Sequence, residues 1–329
     1  MVDVHVPVEM LWETCDPRAA LTERFGFADA VAAARWVTAT LGERWGLRVA
    51  SVERVVISDV NAIAWVATPT GPMLVKWSAA PERFARLAEV ARLTRWLDDR
   101  GLPVSAPVPS LGGDPQVRVD AVSMGVQHVV PGELLDVDRP DQVRAAGAVL
   151  ARLHHALATY PGADRFDSPG PDAVQPAARV AAWLDGTHPE VLPAAREALR
   201  ALAAGAPIDV LPAQLVHGDV RAANILCDGP TVSAVLDLEE TRVDHAVVEL
   251  ARSAVLLGTR FRDWGPVSAD VRATFLSGYE SVRPLTRVES AWWEALVLWQ
   301  ALAVVPAGDD PTGWGASAWS QVAAPSHRR

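Results

Sequence analysis

Three polar residues between positions 215 and 238 have a spacing that suits one kind of chemistry. The run Leu215-Val-His217-Gly218-Asp219-Val-Arg221-Ala-Ala-Asn224-Ile-Leu is followed by a turn at Asp228-Gly229-Pro230 and by an apolar segment, Val232-Ser-Ala-Val-Leu, that ends on Asp237. A carboxylate, a carboxamide five residues later and a second carboxylate after a hairpin are the parts of a phosphoryl-transfer site. In such a site Asp219 accepts a hydrogen bond from the attacking hydroxyl and aligns it. Asn224 and Asp237 supply hard oxygen ligands suited to Mg²⁺. The turn at 228–230 lets Asp237 double back toward Asn224. Alone, each residue has an ordinary structural explanation, as a turn former, a cap or a strand end; together they do not. His217 reads as a support for the loop through hydrogen bonding, without acid–base work.

The elements that must position these residues change character along the chain. Residues 1–27 show little periodicity and read as an irregular lead-in, and helical spacing then runs from Phe27 to Trp45, closed by Gly46. Strand patterns follow at Val49–Ile57, Ile63–Ala67 and Met73–Trp77, with turns at Ser58–Asn61 and Pro69–Pro72, which predicts an antiparallel meander. A helix is expected from Pro81 to about Asp99, then short strands near Val117–Val119 and Val122–Val130. After Pro131-Gly132 the pattern is helical: Pro140–Thr159, then about 174–185, 190–204, 246–257, 268–282 and 288–304, with a Pro/Gly/Asp-rich loop at 161–171 and a polar, Trp-containing tail. The expected division is therefore 1–126 as an N-terminal lobe, 127–132 as a hinge and 133–329 as a helical lobe.

Composition sets the outer bounds. At 329 residues the chain exceeds one typical core, so two lobes or domains are expected. Half of the residues are hydrophobic and 21% are charged, a globular balance. The formal net charge of −10 argues against a nucleic-acid or anionic-membrane partner and leaves room for a cationic small substrate. Cys15 and Cys227 are too few and too distant to suggest a disulfide framework or a metal site. The first 18 residues lack the apolar core of a secretory leader, and no run approaches a membrane span, so a soluble, cytoplasmic protein is expected. Among 30 basic residues only one is a lysine, Lys76. A chain that uses guanidinium for every other cation has kept one compact ammonium, which points to a site where Arg will not do.

A sheet-rich small lobe followed by a helix-rich lobe, with the phosphate chemistry after the boundary, is the kinase layout. His217-Gly218-Asp219, then Asn224 and Asp237, resembles the signature of the aminoglycoside phosphotransferase family, small-molecule kinases with a protein-kinase-like fold. The likeness covers roughly residues 48–300 in element order, and its specific residues lie in 215–250. It implies an α+β, two-lobed protein-kinase-like fold with an N-terminal antiparallel sheet lobe and a mainly helical C-terminal lobe.

The resemblance also implies a nucleotide site. Lys76, on the third strand of the meander, matches the kinase strand lysine that contacts the α/β-phosphates, and Glu89 on the following helix is its expected carboxylate partner, with Glu82 second. Ser58 and Asn61 occupy the phosphate-covering turn, which carries no glycine. The adenine is expected against the backbone of Gln127 to Val129, on the premise that an edge strand offers open N–H and C=O groups. Arg221 stands two residues after Asp219, where protein kinases carry a phosphate-contacting lysine; a solvated loop arginine is the equal alternative. His154-His155 reads as packing. Asp244 resembles the family's acidic residue after the metal loop, while Glu239, Glu240 and Glu249 face an acceptor or solvate a helix N-terminus.

The expected activity is ATP- or GTP-dependent, Mg²⁺-assisted phosphorylation of a hydroxyl on a small molecule. An aminoglycoside or related antibiotic is the first choice of acceptor, and a metabolic hydroxyl compound (a sugar, an amino alcohol or a homoserine-like compound) is the second. A monomer or homodimer is expected. A protein kinase fits less well, because Leu-Glu-Glu follows Asp237 in place of Phe-Gly. A catalytically silent nucleotide sensor has no need of the Asp219 carboxylate.

Overall fold

The computed structural model describes residues 6–166, 174–207 and 209–323. The expected loop at 161–171 falls partly outside them, as do the first five residues of the lead-in. The chain divides into two compact units, Met1–Pro131 and Gly132–Arg329.

The first unit is built on a sheet. Strands β1 (Val8–Met10), β2 (Ser51–Ile57), β3 (Asn61–Thr68), β4 (Gly71–Ser78), β5 (Val117–Val119) and β6 (Val122–His128) lie in the order β1-β2-β3-β4-β6-β5. All neighbours are antiparallel except β1, which runs parallel to β2. The meander β2–β3–β4 is therefore the centre of a larger sheet. The lead-in is more ordered than its sequence suggests: besides β1 it holds α1 (Pro17–Phe25), started by the Asp16 carboxylate and ended by left-handed Gly26. Such short elements carry too little periodicity to be read from sequence.

Helix α2 (Ala30–Trp45) begins at Asp29, whose Oδ1 accepts the Ala32 N–H at 2.7 Å, and stops at left-handed Gly46. Its stripe Ala33, Val37, Leu41 and Trp45 is buried and joins Val55, Ile57, Ala64, Val75, Trp77 and Val126 in one apolar core. Trp36 meets Trp77 edge to face with ring centroids 5.7 Å apart. Because strand side chains alternate, burying Met73, Val75 and Trp77 in this core sends Leu74 and Lys76 to the opposite face. Helix α3 (Phe84–Asp98) follows a 3₁₀ turn at Pro81–Arg83 and buries Leu87, Leu93 and Leu97.

The second unit is mainly helical. Its helices are α4 (Pro140–Leu157), α5 (Pro176–Asp185), α6 (Pro193–Gly205), α7 (Ala246–Leu256), α8 (Ala269–Glu280), α9 (Arg287–Ala303) and α10 (Trp314–Ala323). The expected polar tail thus contains a helix, whose Trp314 and Ala318 enter the core with Trp292, Leu296 and Trp299 of α9. Helices α4 and α8 touch backbone to backbone, since a Cβ on Gly147 would strike the Phe275 carbonyl and one on Gly278 the Arg144 carbonyl. Five short strands complete the unit: β7 (Glu133–Leu134), β8 (Gln214–Val216), β9 (Ile225–Asp228), β10 (Thr231–Val235) and β11 (Arg242–Asp244). They form the sheets β10-β9-β7 and β11-β8. Among the described residues no helix is long and apolar enough to cross a membrane.

Candidate active site

Strands β8 and β11 pair with Val216 opposite Arg242, and the chain leaves β8 through His217 and Gly218. Gly218 has φ 90°, and a Cβ there would collide with the Glu240 carbonyl and the Arg242 guanidinium, so this turn admits only glycine. It delivers Asp219 into a set of donors. Arg221 Nε donates to both carboxylate oxygens at 3.0 Å, and Asn224 Nδ2 donates at 2.8 Å to the Asp219 carbonyl and to Oδ2. About a fifth of the Asp219 side chain stays accessible, which leaves room for a hydroxyl to approach. Arg221 is therefore a half-buried partner of the candidate base and not a solvated loop cation.

His217 is fully buried, and both ring nitrogens are committed. Nδ1 accepts the Asp219 N–H at 3.2 Å, so the proton sits on Nε2, which donates to the Leu236 carbonyl at 2.9 Å. Leu236 also donates its N–H to the Asn224 carbonyl at 2.8 Å. One backbone residue thus ties the 217–224 loop to the return strand, and the next residue is Asp237. Asp237 is exposed and left-handed, with φ 60°, one of two non-glycine residues of positive φ among those described. Such backbone strain clusters at functional positions. The hairpin of β9 and β10 thereby brings Asp237 back beside Asn224. The Asn224 amide nitrogen is spent on Asp219, while its Oδ1 and the Asp237 carboxylate are hard oxygens of the kind Mg²⁺ takes. Among the described residues no group of three or more His, Cys, Asp or Glu side chains is arranged to hold a metal. Two oxygen donors of this kind would leave most of a cation's coordination shell to other ligands.

Behind the loop lies a network that the sequence did not announce. Glu249, on the first turn of α7, is 2% exposed, so it neither faces an acceptor nor solvates a helix end. Its carboxylate accepts the N–H groups of His217 (3.0 Å) and Gly218, and it bonds His154 Nε2 at 2.7 Å. His154 Nδ1 meets the Tyr279 hydroxyl at 2.8 Å, to which Arg283 Nη1 donates at 3.0 Å. Arg283 Nη2 then donates at 2.7 Å to Glu289, which with Thr286 caps α9. Burial pushes the Glu249 carboxyl upward, but the hydrogen bond and charge of His154 and the Gly218 N–H outweigh it, and Glu249 lies below the ordinary range. The available signal was a lone carboxylate inside an otherwise apolar helix, Ala246-Val-Val-Glu249-Leu-Ala. Asp244 is also buried, held by Arg179 at 2.7 Å, and burial raises its carboxyl.

A model of the phosphotransferase enzyme family matches residues 58–291, which include every candidate residue named above. The chain belongs to this family. Two similar relatives of this phosphotransferase-family chain are homoserine kinases. That of Methylobacillus flagellatus is 30% identical over 209 residues, 61% of each chain. That of Methylobacillus glycogenes is 29% identical over 245 residues, 72% of each. The chain thus matches less than two thirds of the length of the first. A spectinomycin phosphotransferase solved with ADP and spectinomycin aligns over 88% of this chain and 98% of its own at 12% identity, with a TM-score of 0.59. That likeness shows the fold, α+β and protein-kinase-like.

The remaining candidates lie in the first unit of this family member. Lys76 is half-buried on β4, between Ile63 and Gly125 of the flanking strands. Glu89 is half-buried on α3 and holds Arg92 one turn on. Glu82 is exposed in the 3₁₀ turn. Ser58 is buried, with its hydroxyl closing the turn onto the Asn61 carbonyl at 3.3 Å; the Asn61 Oδ1 is buried without a hydrogen-bond partner among the described residues. The premise for adenine does not hold. Strand β6 is not an edge: β4 flanks one side, and β5 with a bridge from Pro107 to Gln127 flanks the other. The Val126 carbonyl takes the Val108 N–H, the His128 carbonyl takes the Ser105 hydroxyl, and the Val129 N–H goes to the Pro72 carbonyl. Segment 105–108, without strand periodicity, is what closes this side.

Proposed function

We propose that this protein transfers the γ-phosphoryl group of ATP or GTP, with Mg²⁺, to the hydroxyl of a small hydroxy amino acid resembling homoserine. The arrangement of Asp219, Asn224 and Asp237 around one loop and one hairpin carries the phosphoryl-transfer part of this reading. Asp219 accepts the hydrogen bond of the incoming hydroxyl and aligns its oxygen with the phosphorus. Arg221 and Asn224 fix the carboxylate in place, so little reorganisation is needed when the hydroxyl arrives. Asn224 and Asp237 hold the cation, whose chemistry when bound is to neutralise phosphate charge. Lys76, positioned by Glu89, takes the α/β-phosphates, with Ser58 and Asn61 as lesser contributors to the nucleotide-binding lobe.

The acceptor class is supported by the two homoserine kinases at 29–30% identity. The net charge of −10 favours an aminoglycoside as the second reading. The test is ADP release by the purified protein with ATP and MgCl₂, offered L-homoserine or spectinomycin. Homoserine-dependent turnover is expected; turnover with spectinomycin alone overturns the acceptor assignment. In the same assay Lys76→Arg should raise the KM for ATP about tenfold, because a planar guanidinium does not replace a compact ammonium at this position. Unchanged kinetics would remove Lys76 from the site.

A further inference from the structure

Arg221 and Arg242 lie against the Gly218–Asp219 turn, and Arg252 stands within electrostatic reach of both, an unexpected neighbourhood in an acidic protein. Arg221 grips the Asp219 carboxylate through Nε and lies over the Trp264 ring at 5.3 Å, while its Nη1 is buried with no hydrogen-bond partner among the described residues. Arg242 sits where a Cβ of Gly218 would be. Arg252 is on α7, one turn beyond Glu249, whose carboxylate holds the His217 and Gly218 N–H groups. In α7 every residue except Arg252 is buried, so Arg252 marks the one open side of this helix.

The nearby carboxylates are already engaged. Asp219 has Arg221 and Asn224, Asp244 has Arg179, and Glu249 has His154 and two backbone donors. Among the described residues Arg252 has no hydrogen bond and no ion pair. Burial and the Arg242 charge lower its pKa, with Arg221 adding to this and Asp219 and Glu249 opposing it. A half-buried guanidinium kept beside two others without a carboxylate is costly, and an incoming oxyanion relieves that cost. Arg suits a carboxylate because its planar fork can meet both oxygens at once.

We propose that Arg252, flanked by Arg242 and Arg221, receives the carboxylate of the acceptor and makes this kinase selective for hydroxy acids. The inference rests on the phosphoryl-transfer reading above and adds the acceptor's charge. Two oxyanions could meet such a cluster, the acceptor carboxylate and the γ-phosphate. The phosphate has its own candidate partner in the cation that Asn224 and Asp237 would hold, whereas this cluster is the candidate partner for the acceptor's carboxylate. A hydroxyl seated on Asp219 also keeps the carboxylate of a short hydroxy acid within a few bonds of the same turn.

The experiment compares L-homoserine with 3-amino-1-propanol, the same molecule without its carboxylate, in wild type, Arg252→Gln and Arg252→Lys. The wild type is expected to favour homoserine in kcat/KM by about 30-fold or more, as a charge-assisted hydrogen bond implies. Arg252→Gln should collapse that preference to near one through the homoserine KM, and Arg252→Lys should recover part of it. Equal use of the two acceptors by wild type, an unchanged preference in Arg252→Gln, or a shift found only in the KM for ATP overturns the inference and leaves the kinase reading standing. Turnover of no acceptor by wild type overturns both.

Discussion

Asp219→Ala is expected to lower kcat by about 10³-fold, within the range typical for losing a positioned acid–base group. Nucleotide affinity should change little, because Asp219 is assigned to the acceptor hydroxyl and not to the phosphates. The folded state should persist. Removing the carboxylate frees Arg221 and Asn224, and the Arg221 side chain is 17% exposed, so water can reach part of the vacated space. His217 and Gly218 remain held by Glu249, independently of the Asp219 side chain. Initial rates, nucleotide binding and circular dichroism on the same preparation separate these effects. A variant with wild-type kcat would mean that the carboxylate serves the loop only.

Glu249→Ala should cost about 3–5 kcal/mol of stability, read by urea denaturation, since it leaves buried partners without their charge. The His217 and Gly218 N–H groups and His154 Nε2 would all lose their acceptor in a site closed to water. Activity should fall as well, because these N–H groups set the path of the chain into Asp219. The pH dependence follows from the direction of the shift. In the folded state the Glu249 carboxyl lies below its ordinary value of 4.5, so the unfolded chain binds its proton more readily. The stabilisation is therefore complete above about pH 4.5 and is lost as the pH falls through the folded-state value. Wild type should lose stability across that acid window, and Glu249→Ala should lose less there. Parallel acid unfolding curves for the two proteins would show that Glu249 carries no such linkage.

Local features of the sequence carried much of this molecule. The helical stripes of α2, α4 and α9 and the alternation of β2–β4 are local patterns with a single solution, and the HGD…N…D spacing is a chemical one. Lys76 stood out because every other cation is an arginine. Features that depend on distant partners were not legible. Glu249 and His154 are 95 residues apart and looked like a helix-end acid and a packed histidine; only tertiary contact gives them one hydrogen bond. Strand β6 read as an edge because segment 105–108, which covers it, has no strand periodicity. The arginines around Gly218 come from a loop, a strand and a helix, so no spacing announces them. The negative net charge pointed to a cationic acceptor, while three arginines stand among the carboxylates near Asp219; a total over the whole chain says little about one pocket.

Product mass tests the phosphoryl-transfer assignment of Asp219 without intermediary. Wild type and Asp219→Ala would be incubated side by side with ATP, MgCl₂ and a library of small hydroxyl compounds that includes hydroxy amino acids, amino alcohols, sugars and aminocyclitol antibiotics. A phosphorylated hydroxy acid, homoserine foremost, is expected from wild type and none from Asp219→Ala. Nucleotide binding by both proteins with no phosphorylated compound from either would contradict it.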